Sequence, residues 1–122
     1  MKTTVMVVDD EKDIRESLTG VLKDEGYEVV VAASAEEALR KLEARSPEVI
    51  LLDIWLPGMD GTEALKEITA RHPGIPVIMI SGHANIETAV RTTKLGAYDF
   101  IMKPVNVDEL LVSQPDTGEQ AL

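Results

Sequence analysis

Cysteine is absent from this 122-residue chain. That excludes disulfides, thiolate metal sites and thiol redox chemistry. Aromatic residues are scarce, at 3%, too few for a platform on which nucleic-acid bases stack. Basic residues are outnumbered, 12 Lys and Arg against 22 Asp and Glu, for a net charge of -10. A surface this acidic repels a phosphate backbone, so direct binding of DNA or RNA is not expected. No apolar run approaches the ~20 residues that a membrane span requires. The N-terminal apolar stretch, Val5 to Val8, ends at Asp9 and Asp10, which reads as neither a signal peptide nor a span. A cytoplasmic location, with no membrane association, is the expectation.

What is present suits one compact domain. Hydrophobic residues make up 44%, enough for a single core without a metal or disulfide staple. Short apolar runs alternate with amphipathic stretches. Val5–Val8 reads as a strand, and a helix follows in which Ile14, Leu18, Val21 and Leu22 share a face and Gly26 marks the stop. "YEVVVA" is strand-like. In "SAEEALRKLEARSP", Ser34 with Glu37 three residues on is a capping pattern, and Ala38, Leu39 and Leu42 face inward. "EVILLD" is the third strand. "TEALKEITARHPG" is a helix with Ala64, Leu65 and Ile68 inward, and "IPVIMIS" is the fourth strand. "NIETAVRTTKLGA" is a helix weakened by Thr92 and Thr93, "YDFIMKP" the fifth strand, and "NVDELLV" the start of a last helix. A βα unit repeated five times, with strands apolar throughout, predicts a parallel sheet covered on both faces, doubly wound.

In such a sheet, ligands bind beyond the carboxyl ends of the strands. Those ends carry Asp9 and Asp10 after the first strand, Asp53 after the third, Ser81 after the fourth, and Lys103 with Pro104 after the fifth. If the first and third strands are neighbours, three carboxylates converge. Two like charges ~4 Å apart repel by about 4 kcal/mol at an effective dielectric of about 20. A carboxyl must protonate or a hard cation must bind. An all-oxygen donor set favours Mg²⁺ or Mn²⁺ over zinc. Mg²⁺ commonly shares its shell with phosphate oxygens, and Lys103 and Ser81 could supply a charge and a hydroxyl to a phosphoryl group. Asp53, charged at the end of the apolar run Val49–Leu52, is then a nucleophile able to form an acyl phosphate. Gly58 and Gly61, behind it, are read as turn residues.

The stretches "VMVVDDE", "VILLDIWLPGMDG", "VIMISGH" and "AYDFIMKP" together resemble a two-component response regulator receiver domain, over about residues 3–112. The finer pattern is similar to the nitrogen-regulation (NtrC/NtrX-like) class. The resemblance implies a flavodoxin-like fold of five parallel strands in the order 2-1-3-4-5 with five helices. It implies a signalling switch and not an enzyme on an external substrate. Its only catalysis would be the Mg²⁺-dependent phosphorylation and dephosphorylation of itself. Asp53 would accept phosphate from a sensor histidine kinase. Asp10 would ligate Mg²⁺ directly, Asp9 mostly through water, and the backbone carbonyl of Trp55 would complete the protein's ligands. Ser81 would be the switch hydroxyl, Lys103 the phosphate-binding lysine and Tyr98 the aromatic switch residue. Trp55 and His83 would modulate access of water, and the bond between Lys103 and Pro104 would be cis. Such receivers usually precede an AAA+ ATPase and a DNA-binding domain.

Two other readings are weaker. A phosphohydrolase of the haloacid-dehalogenase type needs a second acid two residues after the nucleophile, where this chain has Trp55. A receiver that acts only as a phosphorylation-independent interaction module would lack an acid or the lysine, and none is missing. The departure from the family pattern is C-terminal. Residues 1–112 are expected to form the receiver, with a short fifth helix in which Val107, Leu110 and Leu111 make an apolar stripe. Residues 113–122, with Pro115 and Gly118, read as a linker or flexible tail. A stripe left uncovered predicts a homodimer through the fourth helix, fifth strand and fifth helix.

Overall fold

The computed structural model describes residues 3–82 and 86–103. His83, Pro104, the fifth helix with its stripe, and the tail all lie outside the described residues. Nine elements alternate: β1 (Thr4–Val8), α1 (Lys12–Asp24), β2 (Glu28–Ala32), α2 (Ala35–Ala44), β3 (Val49–Asp53), α3 (Gly61–Arg71), β4 (Val77–Ser81), α4 (Ile86–Lys94) and β5 (Asp99–Met102). The strands form one parallel sheet in the order β2-β1-β3-β4-β5. This is the doubly wound, flavodoxin-like arrangement expected.

The period of 2 along each strand divides the core between two faces. Met6, Val8, Ile50, Leu52 and Met79 pack under α2 and α3, against Ala38, Leu42, Leu65 and Ile68. Val5, Val7, Val49, Leu51, Ile78 and Ile80 point the other way, with Leu18 and Leu22 of α1. Burial on both faces is why these strands read as unbroken apolar runs.

The helix starts are set by side chains. Ser34 Oγ accepts from Glu37 N–H at 3.1 Å. The reciprocal arm reaches one residue further back than the capping pattern implies, with Glu37 Oε1 accepting from Ala33 N–H at 2.8 Å. That bond, helped by Lys41, holds the Glu37 carboxyl below its ordinary range. α3 begins one residue earlier than the sequence suggests, because Asp60 caps it by accepting from Glu63 N–H at 3.0 Å. Gly61 is therefore the first residue of α3 and not part of the turn. In α4, the hydroxyls of Thr92 and Thr93 bond back to Ala89 O at 3.1 and 2.9 Å, a competition with the backbone that weakens helices.

Candidate functional site

All five strands point their carboxyl ends to the same edge of the sheet, and register decides what meets there. Val8 lies opposite both Ala32 and Leu52, Asp53 opposite Ile80, and Ser81 opposite Met102. The residues just beyond β1 and β5 are thereby brought beside Asp53. One carboxylate oxygen each from Asp9, Asp10 and Asp53 lies within 4.8 Å of the others. Asp9 and Asp53 are buried, at 0% and 3% exposure, while Asp10 faces solvent. Lys103 Nζ sits 2.8 Å from Asp9 Oδ2, 3.3 Å from Asp53 Oδ2 and 3.7 Å from Glu11 Oε1. A shallow cavity of about 270 Å³, lined by Asp10, Glu11, Asp53, Trp55, Gly82 and Lys103, opens over the group.

The charges are in tension. Burial raises the Asp53 pKa above its ordinary value, and the neighbouring Asp9 charge adds to the rise. Lys103 and the Trp55 N–H, which bonds Asp53 Oδ1 at 3.3 Å, pull the other way without winning. Burial also disfavours the Lys103 charge, but Asp9 and Asp53 outweigh it, and the net shift is upward. The ammonium approaches Asp9 Oδ2 without hydrogen-bond alignment, so this buried oxygen keeps acceptor capacity. Three convergent carboxylates, one of them exposed and one with an unsatisfied oxygen, fit a hard divalent cation.

The ordinary role of Asp9 and its place in the site coexist. Its Oδ1 accepts from Glu11 N–H at 2.9 Å, closing the turn into α1. Ser81 is fully buried at the end of β4, and its carbonyl accepts from Lys103 N–H at 2.8 Å, tying the two strand ends together. Trp55 is exposed at the mouth of the cavity.

Tyr98 lies toward the opposite end of the sheet from Ser81. This residue precedes β5, is 55% exposed, and donates its N–H to Val77 O at the start of β4. Val77 and Ser81 are the two ends of one strand, about 13 Å apart at ~3.3 Å per residue. A side chain at that end does not reach the space beside Ser81. Phe100, opposite Met79 and packed on the same face of the sheet, is the aromatic nearer the site.

Three further residues had no part in the site in the sequence reading. Glu11 adds a carboxylate near Lys103, and Arg15 Nη1 donates to Asp9 O at 2.8 Å. Gly61 lies so close to the acceptor strand that a Cβ on it would meet Asp53 O at 2.2 Å and Ile54 Cα at 2.6 Å. Only its position directly after a capping Asp could have hinted at that packing.

Among the described residues no helix is long and apolar enough to cross a membrane. Residues 5–113 match the family model described as the response regulator receiver domain. The chain is 53% identical over 114 residues to the nitrogen assimilation regulatory protein NtrX of Azorhizobium caulinodans, covering 92% of this chain and 25% of that protein. It is 40% identical over 105 residues to the DNA-binding transcriptional regulator NtrC of Escherichia coli, covering 86% of this chain and 22% of the other. The crystal structure of the receiver domain of NtrX from Brucella abortus superposes with a TM-score of 0.84 at 51% identity, over 88% of this chain and 92% of that one. The chain thus spans about a quarter of the length of these curated relatives. Sheet order, the carboxylate group at the strand ends and these likenesses agree: the chain belongs to the response regulator receiver domain family, as an NtrC/NtrX-like receiver.

Proposed function

We propose that this domain is a phosphorylation switch in which Asp53 takes a phosphoryl group from the phosphohistidine of a sensor histidine kinase. Receivers of NtrX/NtrC-type regulators are signalling switches rather than classical enzymes. The observation that carries the residue assignment is the Asp53 carboxylate, buried at the end of β3 with Asp9 and Asp10 on one side and Lys103 at 3.3 Å.

An oxygen of Asp53 attacks phosphorus, the phosphorus–nitrogen bond breaks, and the imidazole leaves. The Trp55 N–H on Oδ1 holds the carboxylate in orientation. Lys103 shifts its charge from Asp53 Oδ2 to an incoming phosphoryl oxygen, and the Ser81 hydroxyl donates to another. Asp9, Asp10, Asp53 and the carbonyl of Trp55 would hold Mg²⁺, with Mn²⁺ as a substitute. The ion supplies neutralisation of the phosphoryl oxygens. The same groups serve when water removes the phosphoryl group, with Trp55 and His83 modulating access. The switch works as a population shift between two arrangements of α4 and β5. Phe100, rather than Tyr98, is the aromatic that responds to Ser81. Asp53, Ser81, Lys103 and the carboxylates are otherwise assigned as the family resemblance implies. In the longer protein the receiver controls AAA+ ATPase and DNA-binding domains, and it pairs with a second copy through the α4–β5 face.

Acetyl phosphate with Mg²⁺, followed by intact mass, tests the core of this reading. One added phosphoryl group per chain is expected, and none on Asp53→Asn. Undiminished labelling of that variant would overturn the assignment, and multiple turnover of acetyl phosphate would point to a phosphohydrolase.

A further inference from the structure

Asp9 is anchored on three sides. Its N–H donates to Ala32 O at 3.1 Å, its Oδ1 accepts from Glu11 N–H at 2.9 Å, and its carbonyl accepts from Arg15 Nη1 at 2.8 Å. The first two involve backbone groups, the carbonyl at the end of β2 and the N–H of the turn into α1. The third is a charged side chain, partly buried on the first turn of α1 and reaching back six residues. The ladder between β1 and its neighbours ends at Val8, so the Asp9 carbonyl lies past the last paired residue. Immobilising an arginine on one carbonyl costs side-chain entropy, and water could have satisfied the same acceptor.

The geometry points to Arg15 as a positioning residue for the divalent cation. It does not touch the site oxygens. It pins the backbone between Asp9 and Asp10, so both carboxylates are presented toward Asp53 before any ion arrives. It also brings a positive charge behind a loop whose acidic side chains repel one another. Lys103 opposes that repulsion between the Asp9 and Asp53 carboxylates, at 2.8 and 3.3 Å, and Arg15 from the α1 side. Groups that orient metal ligands from behind typically change affinity when removed. The planar guanidinium gives a more defined direction to the bond than an ammonium would.

This rests on the reading of the site as a cation-dependent phosphoryl acceptor, and the test separates the two. The whole chain is titrated with MgCl₂ and followed by calorimetry and by fluorescence of Trp55. That residue is the only tryptophan of the chain and lines the same cavity as Asp10 and Asp53. Arg15→Met is expected to bind Mg²⁺ about tenfold more weakly, by analogy with other groups that orient metal ligands. Arg15→Lys is expected to lie nearer wild type than Arg15→Met. At saturating Mg²⁺, all three should take up one phosphoryl group from acetyl phosphate at similar rates, because the chemical groups are intact. A merely structural brace would lower the melting temperature and leave affinity at 20 °C below melting unchanged. Arg15→Gln is measured beside Arg15→Met, so a folding failure of one does not remove the test. Equal Mg²⁺ affinity in wild type and in the folded variants would overturn the role of Arg15 alone. A wild type that shows no Mg²⁺ response would overturn the metal reading and this inference with it.

Discussion

At the scale of single residues, the site stores repulsion. Asp53 is pushed up by burial and by Asp9, so the folded state holds its proton more tightly than the unfolded chain does. Between the ordinary aspartate range and the raised value, the folded state binds more protons, and stability falls as pH rises through that window. Above it the full cost of the buried charge is present. Asp53→Asn is therefore expected to raise the melting temperature at neutral pH without Mg²⁺, and the gain should vanish below the ordinary carboxylate range. Thermal melts across a pH series check both parts. Lys103 is shifted in the same direction, but there the favoured form is the charged one. Its raised pKa marks a favourable pairing, present at neutral pH and lost only as pH climbs through the raised value. Lys103→Met should accordingly lower the melting temperature under the conditions in which Asp53→Asn raises it.

At the scale of elements, two glycines in helices behave oppositely. Gly61 opens α3 against the backbone of Asp53 and Ile54, which cannot yield as a flexible side-chain end can. Gly61→Ala is expected to destabilise by about 3 kcal/mol, at the upper end for overpacking. It should also disturb labelling of Asp53, since the atoms displaced belong to the acceptor itself. Gly20 sits in the middle of α1, and a Cβ there meets nothing within 4 Å. Gly20→Ala removes backbone freedom from the unfolded chain and should stabilise by about 0.5–1 kcal/mol. Urea unfolding of both variants measures the contrast. A neutral Gly61→Ala would mean that α3 can move away from β3 at no cost.

For the whole molecule, four of the five exposed large hydrophobic residues among the described residues belong to α4, β5 or the residue before β5, the fifth being Trp55. Ile86 and Val90 stand one turn apart on α4, Tyr98 precedes β5 and Met102 ends it, each about half exposed or more. Exposed apolar residues of this kind can mark an interaction surface, and β5 leads directly into Lys103. The proposed dimer would use these residues, with the charge change at Asp53 shifting the balance of two arrangements. Light scattering over a concentration series, with and without beryllofluoride, should show mass rising toward two chains, more readily with the phosphoryl mimic. Val90→Glu should suppress the rise while leaving Asp53 labelling intact. A strict monomer in both states would remove the dimer.

Much of this could be read directly from the residues. Alternating apolar runs and amphipathic stretches determine a parallel sheet, and in such a sheet every strand's carboxyl end lies on one edge. Asp9, Asp10, Asp53, Ser81 and Lys103 each end a strand, so their meeting follows from topology alone. Helix boundaries were legible where a local cap exists, as at Ser34, and missed by one residue where Asp60 hid behind the turn glycines. Other features depend on distances between elements far apart in the chain. Tyr98, just before β5, and Phe100 within it are two residues apart, and periodicity treats them alike. Only the register with β4 decides that Phe100 meets Met79 while Tyr98 lies by Val77 at the far end. The Arg15 contact ends on a backbone carbonyl, an acceptor that every residue possesses and that leaves no mark in a sequence. Gly61 is required by how closely the start of α3 passes the carbonyl of Asp53, and that approach exists only once helix and sheet have packed.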